Sequence, residues 1–248
     1  MNLVLDLGNS RFKWAQATDA GLTPGGARAY GEDFAQTLQQ TFAALHRPAQ
    51  AVAVSVARDP HTAILTHWLK THWSLDLQLL AVSPACCGVT NSYEVPTQLG
   101  ADRWAALIGA RARTSTAVCV IDCGTAVTVD ALAASGAFRG GVILPGLELL
   151  RISLRQRAQG IRDIEGKAES CLAHSTADGV AAGTLFGLAG AIDRCLEEQA
   201  DAMQADPVFF ITGGDAPLLQ TRLRSTTLLI PDLVLEGVAH MAHAQSKP

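Results

Sequence analysis

Apolar positions along the chain follow two spacings, one typical of buried strands and one typical of helices with a single buried face. Continuous apolar runs predict strands over 51–56 and 207–212. A helix is predicted over 32–46, and its apolar face carries Phe34, Leu38, Phe42 and Leu45. Another helix is predicted from Pro60, with Asp59 as its cap. Strands that alternate with helices in this way indicate a layered α/β fold.

One strand–turn–strand stretch occurs twice. Residues 4–17 can be laid over 120–133 without a gap, and the Val, Asp, Gly and both Ala positions coincide. Each copy reads as an apolar strand, an aspartate, a glycine turn and a return strand, which predicts a tight hairpin. The repeat therefore predicts two related halves, residues 1–115 and 116–248.

These hairpins are candidates for binding a nucleotide. A glycine turn exposes backbone N–H groups that can hold phosphate oxygens, and Asp6 and Asp122 would approach a metal ion or its waters. Lys13 on the first return strand could reach a terminal phosphate. Gly213–Asp215 either lies against an adenine or ribose or is a plain strand-to-helix turn. The alternative is a pair of ordinary hairpins, and no P-loop or dinucleotide-binding glycine motif offers a different nucleotide site.

Asp102 is the strongest candidate for catalysis. It lies at the start of a helix predicted to extend to about Arg113, and Arg103 follows it directly. A carboxylate in this position could accept a proton from a substrate hydroxyl while Arg103 neutralises charge nearby. The alternative is an aspartate that caps the helix beside an exposed arginine.

Composition and charge restrict the classes of function. The 248 residues are 48% hydrophobic and 17% charged, which suits one large domain or two halves. The net charge of −4 argues against a general nucleic-acid surface, and the one basic cluster suits a solvated helix face: Arg151, Arg155, Arg157 and Arg162. The six cysteines have no C-x-x-C pair and are expected to be free thiols. His240 and His243 lack a ligand pattern nearby, so no metal is expected there.

The apolar pattern also bears on location and assembly. No signal peptide fits the N-terminus and no apolar stretch is long enough to span a bilayer, so the chain is expected to be cytoplasmic. A helix predicted over 176–200 carries Gly179, Gly183, Gly187 and Gly190. Because each glycine costs a helix about 1 kcal/mol relative to alanine, the four indicate close packing against another helix or backbone. That packing could be within the chain or in a homodimer.

Four motifs, taken in order, resemble type III pantothenate kinases, also called the Baf family. They occupy residues 6–13, 100–103, 122–130 and 140–146. The resemblance covers nearly the whole chain. It implies the fold shared by acetate kinase, sugar kinases, Hsp70 and actin, which has two duplicated ribonuclease-H-like α/β halves with ATP in the cleft between them.

The resemblance also implies roles for individual residues. The first phosphate-binding segment would consist of Asp6, Leu7, Gly8, Asn9, Ser10, Arg11, Phe12 and Lys13. Thr125 would bind ATP, and Asp122 would contribute to a monovalent-cation site for potassium or ammonium. Asp102 would accept the proton, and pantothenate would be held by Tyr93, Gly100, Ala101, Asp102 and Arg103. Thr176 would contact the substrate, often from the second subunit of a homodimer, although Ser175 here replaces the asparagine that is usual in the family.

The leading hypothesis is therefore an enzyme that transfers the γ-phosphoryl group of ATP, with Mg²⁺, to the primary hydroxyl of pantothenate. This reaction is the first step toward coenzyme A. One alternative is a nucleotide-binding regulatory or accessory protein of the same fold without kinase activity. Another is a kinase or phosphatase of this fold that acts on a sugar or a carboxylate.

Overall fold

The computed structural model describes residues 1–18, 20–57, 60–161 and 165–245. The predicted cap Asp59 and the cluster member Arg162 lie outside these ranges. In chain order the strands and helices are β1 (Asn2–Leu7), β2 (Arg11–Thr18), β3 (Gly21–Ala29), α1 (Phe34–Phe42), β4 (Gln50–Ser55), α2 (His61–Trp73), β5 (Leu77–Leu79), β6 (Ala85–Cys86), β7 (Val89–Thr90), α3 (Ala101–Arg113), β8 (Val118–Cys123), β9 (Ala126–Leu132), β10 (Phe138–Pro145), α4 (Leu147–Arg157), α5 (Thr176–Met203), β11 (Val208–Thr212), α6 (Ala216–Gln220), β12 (Leu228–Leu229) and α7 (Leu233–Gln245).

The first compact unit comprises Met1–Thr114 and Asp232–Pro248. Its sheet has the strand order β3-β2-β1-β4-β5, in which β1, β2 and β3 are antiparallel neighbours and β4 and β5 continue parallel to β1. Aromatic side chains fill one side of this sheet, since Phe12, Trp14, Phe42 and Trp68 are all buried in one cluster. The predicted helix face is confirmed for Phe34, Leu38 and Phe42, whereas Leu45 lies beyond the end of α1 and packs partly buried against the same cluster.

The second unit, Ser115–Pro231, repeats this topology. Its sheet has the order β10-β9-β8-β11-β12, so that the third, second, first, fourth and fifth strands lie side by side as in the first unit. The first three strands are again antiparallel, and β11 and β12 run parallel to β8. Two copies of one α/β topology confirm the duplicated fold that the sequence predicts.

One segment differs from the sequence-based expectation, and a second is now defined as a strand. Residues 232–248 were predicted to belong to the second half, whereas α7 packs against α3, β1, β2 and β4 of the first unit. Gly237 makes this packing possible, because its missing side chain leaves room for the Ala105 carbonyl. Residues 18–31, predicted as a loop or irregular strand, contain β3, whose pairing with β2 is irregular between Trp14 and Ala15. Because β3 is an edge strand, Pro24 can lie in it without removing a hydrogen bond from the centre of the sheet.

Helix α5 is the core helix of the second unit. Its inward face carries Leu185, Ile192 and Leu196. The expectation that no apolar stretch is long enough to span a bilayer is corrected here, since α5 alone among the described helices is long and apolar enough by length and composition. Of its most apolar 18-residue window, 56% is buried inside the protein. Of the two alternatives for its glycines, packing within the chain is not seen at Gly183, Gly187 or Gly190, where an added Cβ meets no described atom within 4 Å.

Candidate active site

The hairpin of β1 and β2 presents the first candidate segment. Asp6 is buried and pairs directly across the strands with Lys13, which is half-buried. The Gly8 N–H donates to the Arg11 carbonyl at 3.1 Å and closes the turn. The side chains of Asn9, Ser10 and Arg11 are exposed on this turn.

Leu7 and Phe12 flank the same turn but have no exposed side-chain surface. Of the predicted phosphate-binding segment, these two residues therefore hold the turn on the core. Neither residue is exposed at all, and the Leu7 carbonyl accepts from the Val56 N–H at 2.9 Å. The pattern of exposure divides the segment into an anchored base and a solvent-facing tip.

The hairpin of β8 and β9 presents the second candidate segment. Here the Gly124 N–H donates to the Ala126 carbonyl at 3.0 Å, and the Gly146 N–H donates to the Thr125 carbonyl at 3.0 Å. A Cβ at Gly146 would lie 2.4 Å from the Gly124 carbonyl oxygen, so the end of β10 can touch this turn only as glycine. The second turn is thus buttressed by backbone on one side.

The loop after β11 supports the second hairpin from another direction. Gly213 has φ +98°, and a Cβ there would lie 2.3 Å from the Cys123 carbonyl oxygen. The Asp215 N–H donates to that carbonyl at 3.0 Å. Burial, and to a smaller extent the charges of Asp122 and Asp215, raises the pKa of the Cys123 thiol, which places both carboxylates near it. Residues 213–215, singled out in the sequence, therefore contact the second hairpin. Their contact with adenine or ribose stays a prediction.

The two hairpins differ in pairing register. Asp6 lies opposite Lys13, whereas Asp122 lies opposite Thr128, one position earlier along the return strand than the ungapped overlay requires. Ala15 pairs with Val4, but the overlaid Ala131 pairs with Cys119 instead of Val120. The coincident alanines after the turn are therefore not structurally equivalent, because the second turn is one residue shorter.

The start of α3 brings together the predicted substrate residues. The Arg103 guanidinium donates from Nη1 to the Tyr93 hydroxyl at 3.1 Å, and its Cζ lies 5.9 Å from the centre of the Tyr93 ring. The Arg103 side chain is buried, unlike the exposed arginine of the alternative interpretation. The Tyr93 N–H donates to the Asn91 side chain at 3.0 Å, which fixes the loop that carries the tyrosine.

Asp102 lies in the first turn of this helix without capping it. The N-cap residue is Gly100, which makes no side-chain cap bond, and the Asp102 carboxylate accepts from the Arg103 N–H at 2.7 Å. A Cβ at Gly100 would lie 2.6 Å from Asp102 Oδ1, so glycine leaves room for the carboxylate. Burial raises the pKa of Asp102, and hydrogen bonding and the charge of Arg103 oppose that rise. A half-buried carboxylate with raised proton affinity beside a fixed cation suits proton transfer better than capping.

Thr176 is the first residue of α5. Ser175 is the N-cap, and its hydroxyl accepts from the Asp178 N–H at 3.1 Å, which explains how serine replaces the asparagine usual at this place. Thr176 is exposed and lies at the edge of an apolar groove of about 590 Å³ between α4 and α5. The groove also includes Gly179, Gly183 and Gly187.

Residues that could hold a metal ion are sparse. Across the described ranges, no group of three or more His, Cys, Asp or Glu side chains is placed to bind one. Asp6 is buried at its strand end and Asp122 is half-buried at the corresponding position of the second hairpin. Each could supply one carboxylate to an ion whose other ligands come from a nucleotide or from water.

Sequence reasoning missed Tyr30. This residue directly follows β3, in the stretch predicted as a loop, and its hydroxyl donates to the Gly8 carbonyl at 2.6 Å. No local pattern indicates this contact, because 22 positions separate the two residues.

Comparisons with known proteins agree with these features. A family model described as type III pantothenate kinase matches residues 2–198. The chain is 36% identical over 254 residues to a type III pantothenate kinase from Nitrosococcus oceani, covering 100% of this chain and 96% of that protein. It is 38% identical over 241 residues to another from Alkalilimnicola ehrlichii, covering 97% of each.

A solved structure supports the fold independently. A Sinorhizobium meliloti protein proposed to be a 2-dehydro-3-deoxygalactonokinase has a TM-score of 0.62 and 16% identity, with 100% of both chains covered. At this identity the likeness shows the fold alone, which is that of the sugar kinases and actin. With the family model matching most of the chain and the relatives matching its full length, this chain belongs to the type III pantothenate kinase family.

Proposed function

We propose that this chain phosphorylates the primary hydroxyl of pantothenate with ATP, the first step of coenzyme A biosynthesis. Membership of the family supports the reaction. The arrangement that carries the site assignment is the Asp102 carboxylate held beside Arg103 and Tyr93 at the start of α3. Pantothenate is the expected ligand of Tyr93 and of residues 100–103.

Asp102 is the proposed general base. Burial makes its carboxylate a stronger proton acceptor than an exposed aspartate, which favours removal of the hydroxyl proton as the oxygen attacks phosphorus. Arg103 cannot move freely, because Tyr93 receives one of its N–H groups and lies beneath its guanidinium. Its fixed charge would stabilise negative charge near the acceptor without reorganisation during the reaction.

The first hairpin is the proposed phosphate-binding segment. The exposed tip at Asn9, Ser10 and Arg11 would present main-chain and side-chain donors, and Lys13 would supply charge from the return strand. Thr125 would bind ATP from the second hairpin. Bound with ATP, Mg²⁺ would neutralise phosphate charge, and Asp6 is the residue proposed to face it.

Asp122 is proposed to bind a monovalent cation, potassium or ammonium. The position suits an ion better than a solvated acid, because the carboxylate is half-buried at the strand end beside a tight turn. The six cysteines are free thiols, which fits the reducing cytoplasm as the proposed location.

Asp102→Asn tests the enzymatic proposal. ADP release is followed with and without pantothenate, and nucleotide affinity is measured separately by calorimetry. We expect kcat to fall by about 10²- to 10⁴-fold with nucleotide affinity retained, because a general base is removed and no nucleotide contact is lost. Asp33→Asn is the matched control, since Asp33 is an exposed helix cap in the same unit and asparagine caps equally well.

This experiment, repeated with a sugar in place of pantothenate, has three distinct outcomes. Near-normal turnover in Asp102→Asn would remove Asp102 as the base. ADP release by the unmodified protein that does not depend on pantothenate would support the regulatory alternative. Equal turnover on a sugar would contradict pantothenate as the substrate.

We also propose a homodimer that uses the glycine face of α5. Gly183 and Gly187 are exposed, a Cβ on either meets no described atom, and both line the apolar groove. Glycine in a helix is costly unless close approach requires it, and within the described part of the chain nothing approaches this face. The second copy is the proposed occupant.

Replacing Gly187 by leucine tests the dimer. A side chain forced into a close helix contact costs about 1–3 kcal/mol, so we expect the dimer dissociation constant to rise by about tenfold or more. Glu197→Leu is the control, because Glu197 is exposed on α5 and lies outside the groove. Sedimentation measures both. A monomeric unmodified protein, or equal dissociation constants for the two variants, would contradict this interface.

A further inference from the structure

Tyr30 is a buried tyrosine attached to the turn of the first hairpin. Its side chain is only 5% exposed, and its hydroxyl donates to the Gly8 carbonyl at 2.6 Å. The Gly8 N–H is meanwhile bound to the Arg11 carbonyl at 3.1 Å. Both main-chain polar groups of Gly8 are therefore fixed, one by the hairpin itself and one by a residue outside it.

The Tyr30 ring is held on two sides by the starts of two helices. His61, the first residue of α2, stacks on it at a centroid distance of 3.7 Å and an interplanar angle of 5°. Phe34, the first residue of α1, meets it edge-on at 4.8 Å and 87°. Three chain segments thus aim the hydroxyl at one carbonyl, which is more restraint than a tyrosine needs for burial alone.

The electrostatic environment keeps this hydroxyl a donor. Burial, and to a smaller extent the negative charge of Asp6, raises the pKa of Tyr30 above its ordinary value. The phenol therefore stays protonated at physiological pH. The influence of Asp6 also shows that the ring lies near the carboxylate at the base of the hairpin.

The hydrogen bond has a consequence for the next residue. In a trans peptide the C=O and the following N–H point in opposite directions. Because the Gly8 carbonyl turns toward the buried Tyr30, the Asn9 N–H turns away from it, at the exposed tip of the hairpin. A preorganised N–H at that place binds phosphate oxygen without the cost of ordering the turn first.

We propose that Tyr30 is a positioning residue that orients the Gly8–Asn9 peptide for the phosphates of ATP. The inference rests on the proposed role of the first hairpin in nucleotide binding. It adds to that role a residue beyond the motif of residues 6–13, and it assigns the His61–Tyr30–Phe34 stack the function of aiming one hydroxyl.

Tyr30→Phe removes the hydroxyl and keeps the ring. Since the lost bond is one neutral hydrogen bond, we expect the KM for ATP and the dissociation constant of a non-hydrolysable ATP analogue to rise by about five- to tenfold. The KM for pantothenate should stay within about twofold, because the hydroxyl that is removed bonds the hairpin turn at Gly8.

The matched control is Thr41→Val. Thr41 is also part-buried in the first unit, and its hydroxyl donates to the Thr37 carbonyl at the same 2.6 Å, within α1 and away from the hairpin. The two variants should have melting temperatures within a few degrees of each other, since each loses one such bond. Only Tyr30→Phe should weaken nucleotide binding.

Unchanged analogue affinity in Tyr30→Phe, or an equal loss in Thr41→Val, would overturn the inference. If the unmodified protein shows no pantothenate-dependent ADP release, the proposed reaction fails, and calorimetry with the analogue still tests Tyr30. If the unmodified protein is active and the analogue binds both variants equally, the reaction stands and the role of Tyr30 fails.

Discussion

Gly237→Ala should destabilise the protein although alanine favours helices. Gly237 lies in α7 where this helix crosses α3, and a Cβ there would lie 1.8 Å from the Ala105 carbonyl oxygen. Gly109 makes the reciprocal contact, with its missing Cβ 2.3 Å from the Leu233 carbonyl oxygen. The two backbones are therefore in direct contact on both sides of the crossing.

The magnitude follows from which atoms obstruct the new methyl group. The Cβ and the carbonyl oxygen would have to separate from 1.8 Å to at least 3.0 Å, and the oxygen belongs to main chain that cannot rotate away. Overpacking of this kind costs about 1–3 kcal/mol, and the rigid obstruction puts it near the upper end. The higher helix propensity of alanine offsets about 1 kcal/mol of this cost, so we expect the free energy of unfolding to fall by about 2 kcal/mol.

The ion pair between the same helices resists relief of the clash. Arg113 of α3 binds Glu236 of α7 with two hydrogen bonds of 2.6 Å, so the helices cannot separate without straining it. Ala105 lies one turn after Asp102, and its displacement would also shift the proposed base. We therefore expect kcat to fall together with stability.

Thermal and urea denaturation measure the loss, with Gly190→Ala as the reference. A net loss of about 2 kcal/mol corresponds to about 4–8 °C in melting temperature for a chain of this size. Gly190→Ala adds a methyl group in open space and should instead stabilise α5 by up to about 1 kcal/mol. A Gly237→Ala protein as stable as the unmodified one would refute the reasoning, because it would mean that α3 and α7 do not meet at this distance.

Three further outcomes are expected. Burial raises the pKa of Asp102 in the folded protein above its unfolded value of 3.8. The protonated carboxyl therefore contributes stability below pH 3.8, and this contribution is lost as pH rises through the folded pKa. We expect the acid limb of kcat/KM to lie above pH 3.8, and Asp102→Asn to gain stability relative to the unmodified protein as pH rises. Cys87 is exposed, yet burial of its sulfur and the neighbouring Cys86 thiol raise its pKa to about 12. A thiol reagent near pH 8 should therefore label Cys87 much more slowly than a freely exposed cysteine, and equal labelling rates would contradict this. Gly213→Ala should weaken ATP binding and lower the melting temperature, since both the positive φ and the contact with the Cys123 carbonyl exclude a side chain; calorimetry with an ATP analogue showing no change would remove this loop from the nucleotide site.

The sequence predicted those parts of the site that depend on neighbours along the chain. The strand, aspartate and glycine of each hairpin are contiguous, so the pattern alone located both turns. Asp102 and Arg103 are adjacent, and the helix that orients them begins one residue earlier. In each case a few local residues determine both the backbone conformation and the chemistry.

The sequence could not predict what depends on distant parts of the chain. The hydroxyl of Tyr30 reaches Gly8 only after β2 and β3 have formed, and α7 joins the first unit only because Gly237 matches a gap beside Ala105. The glycines of α5 are a second example of a feature that the local sequence could not settle. Their spacing predicted close packing against another helix or backbone, but no local pattern could show that Gly183, Gly187 and Gly190 face open space within the described part of the chain.

The two hairpins share one topology but place different side chains opposite the aspartate near the end of the first strand. The turns share a buried or half-buried aspartate and a glycine, yet the shorter second turn puts the neutral Thr128 where the first hairpin puts Lys13. In the first unit, burial raises the pKa of Asp232, which directly precedes α7, and the charge of Lys13 opposes that rise. Lys13 therefore interacts electrostatically with Asp232 and also lies opposite Asp6. A lysine restrained in this way is a localised positive charge, which suits a phosphate chain, whereas an acid opposite a hydroxyl keeps its negative charge available for a cation. The aspartate therefore faces a lysine in the first hairpin and a threonine in the second, which supports the anion proposed for one and the cation proposed for the other.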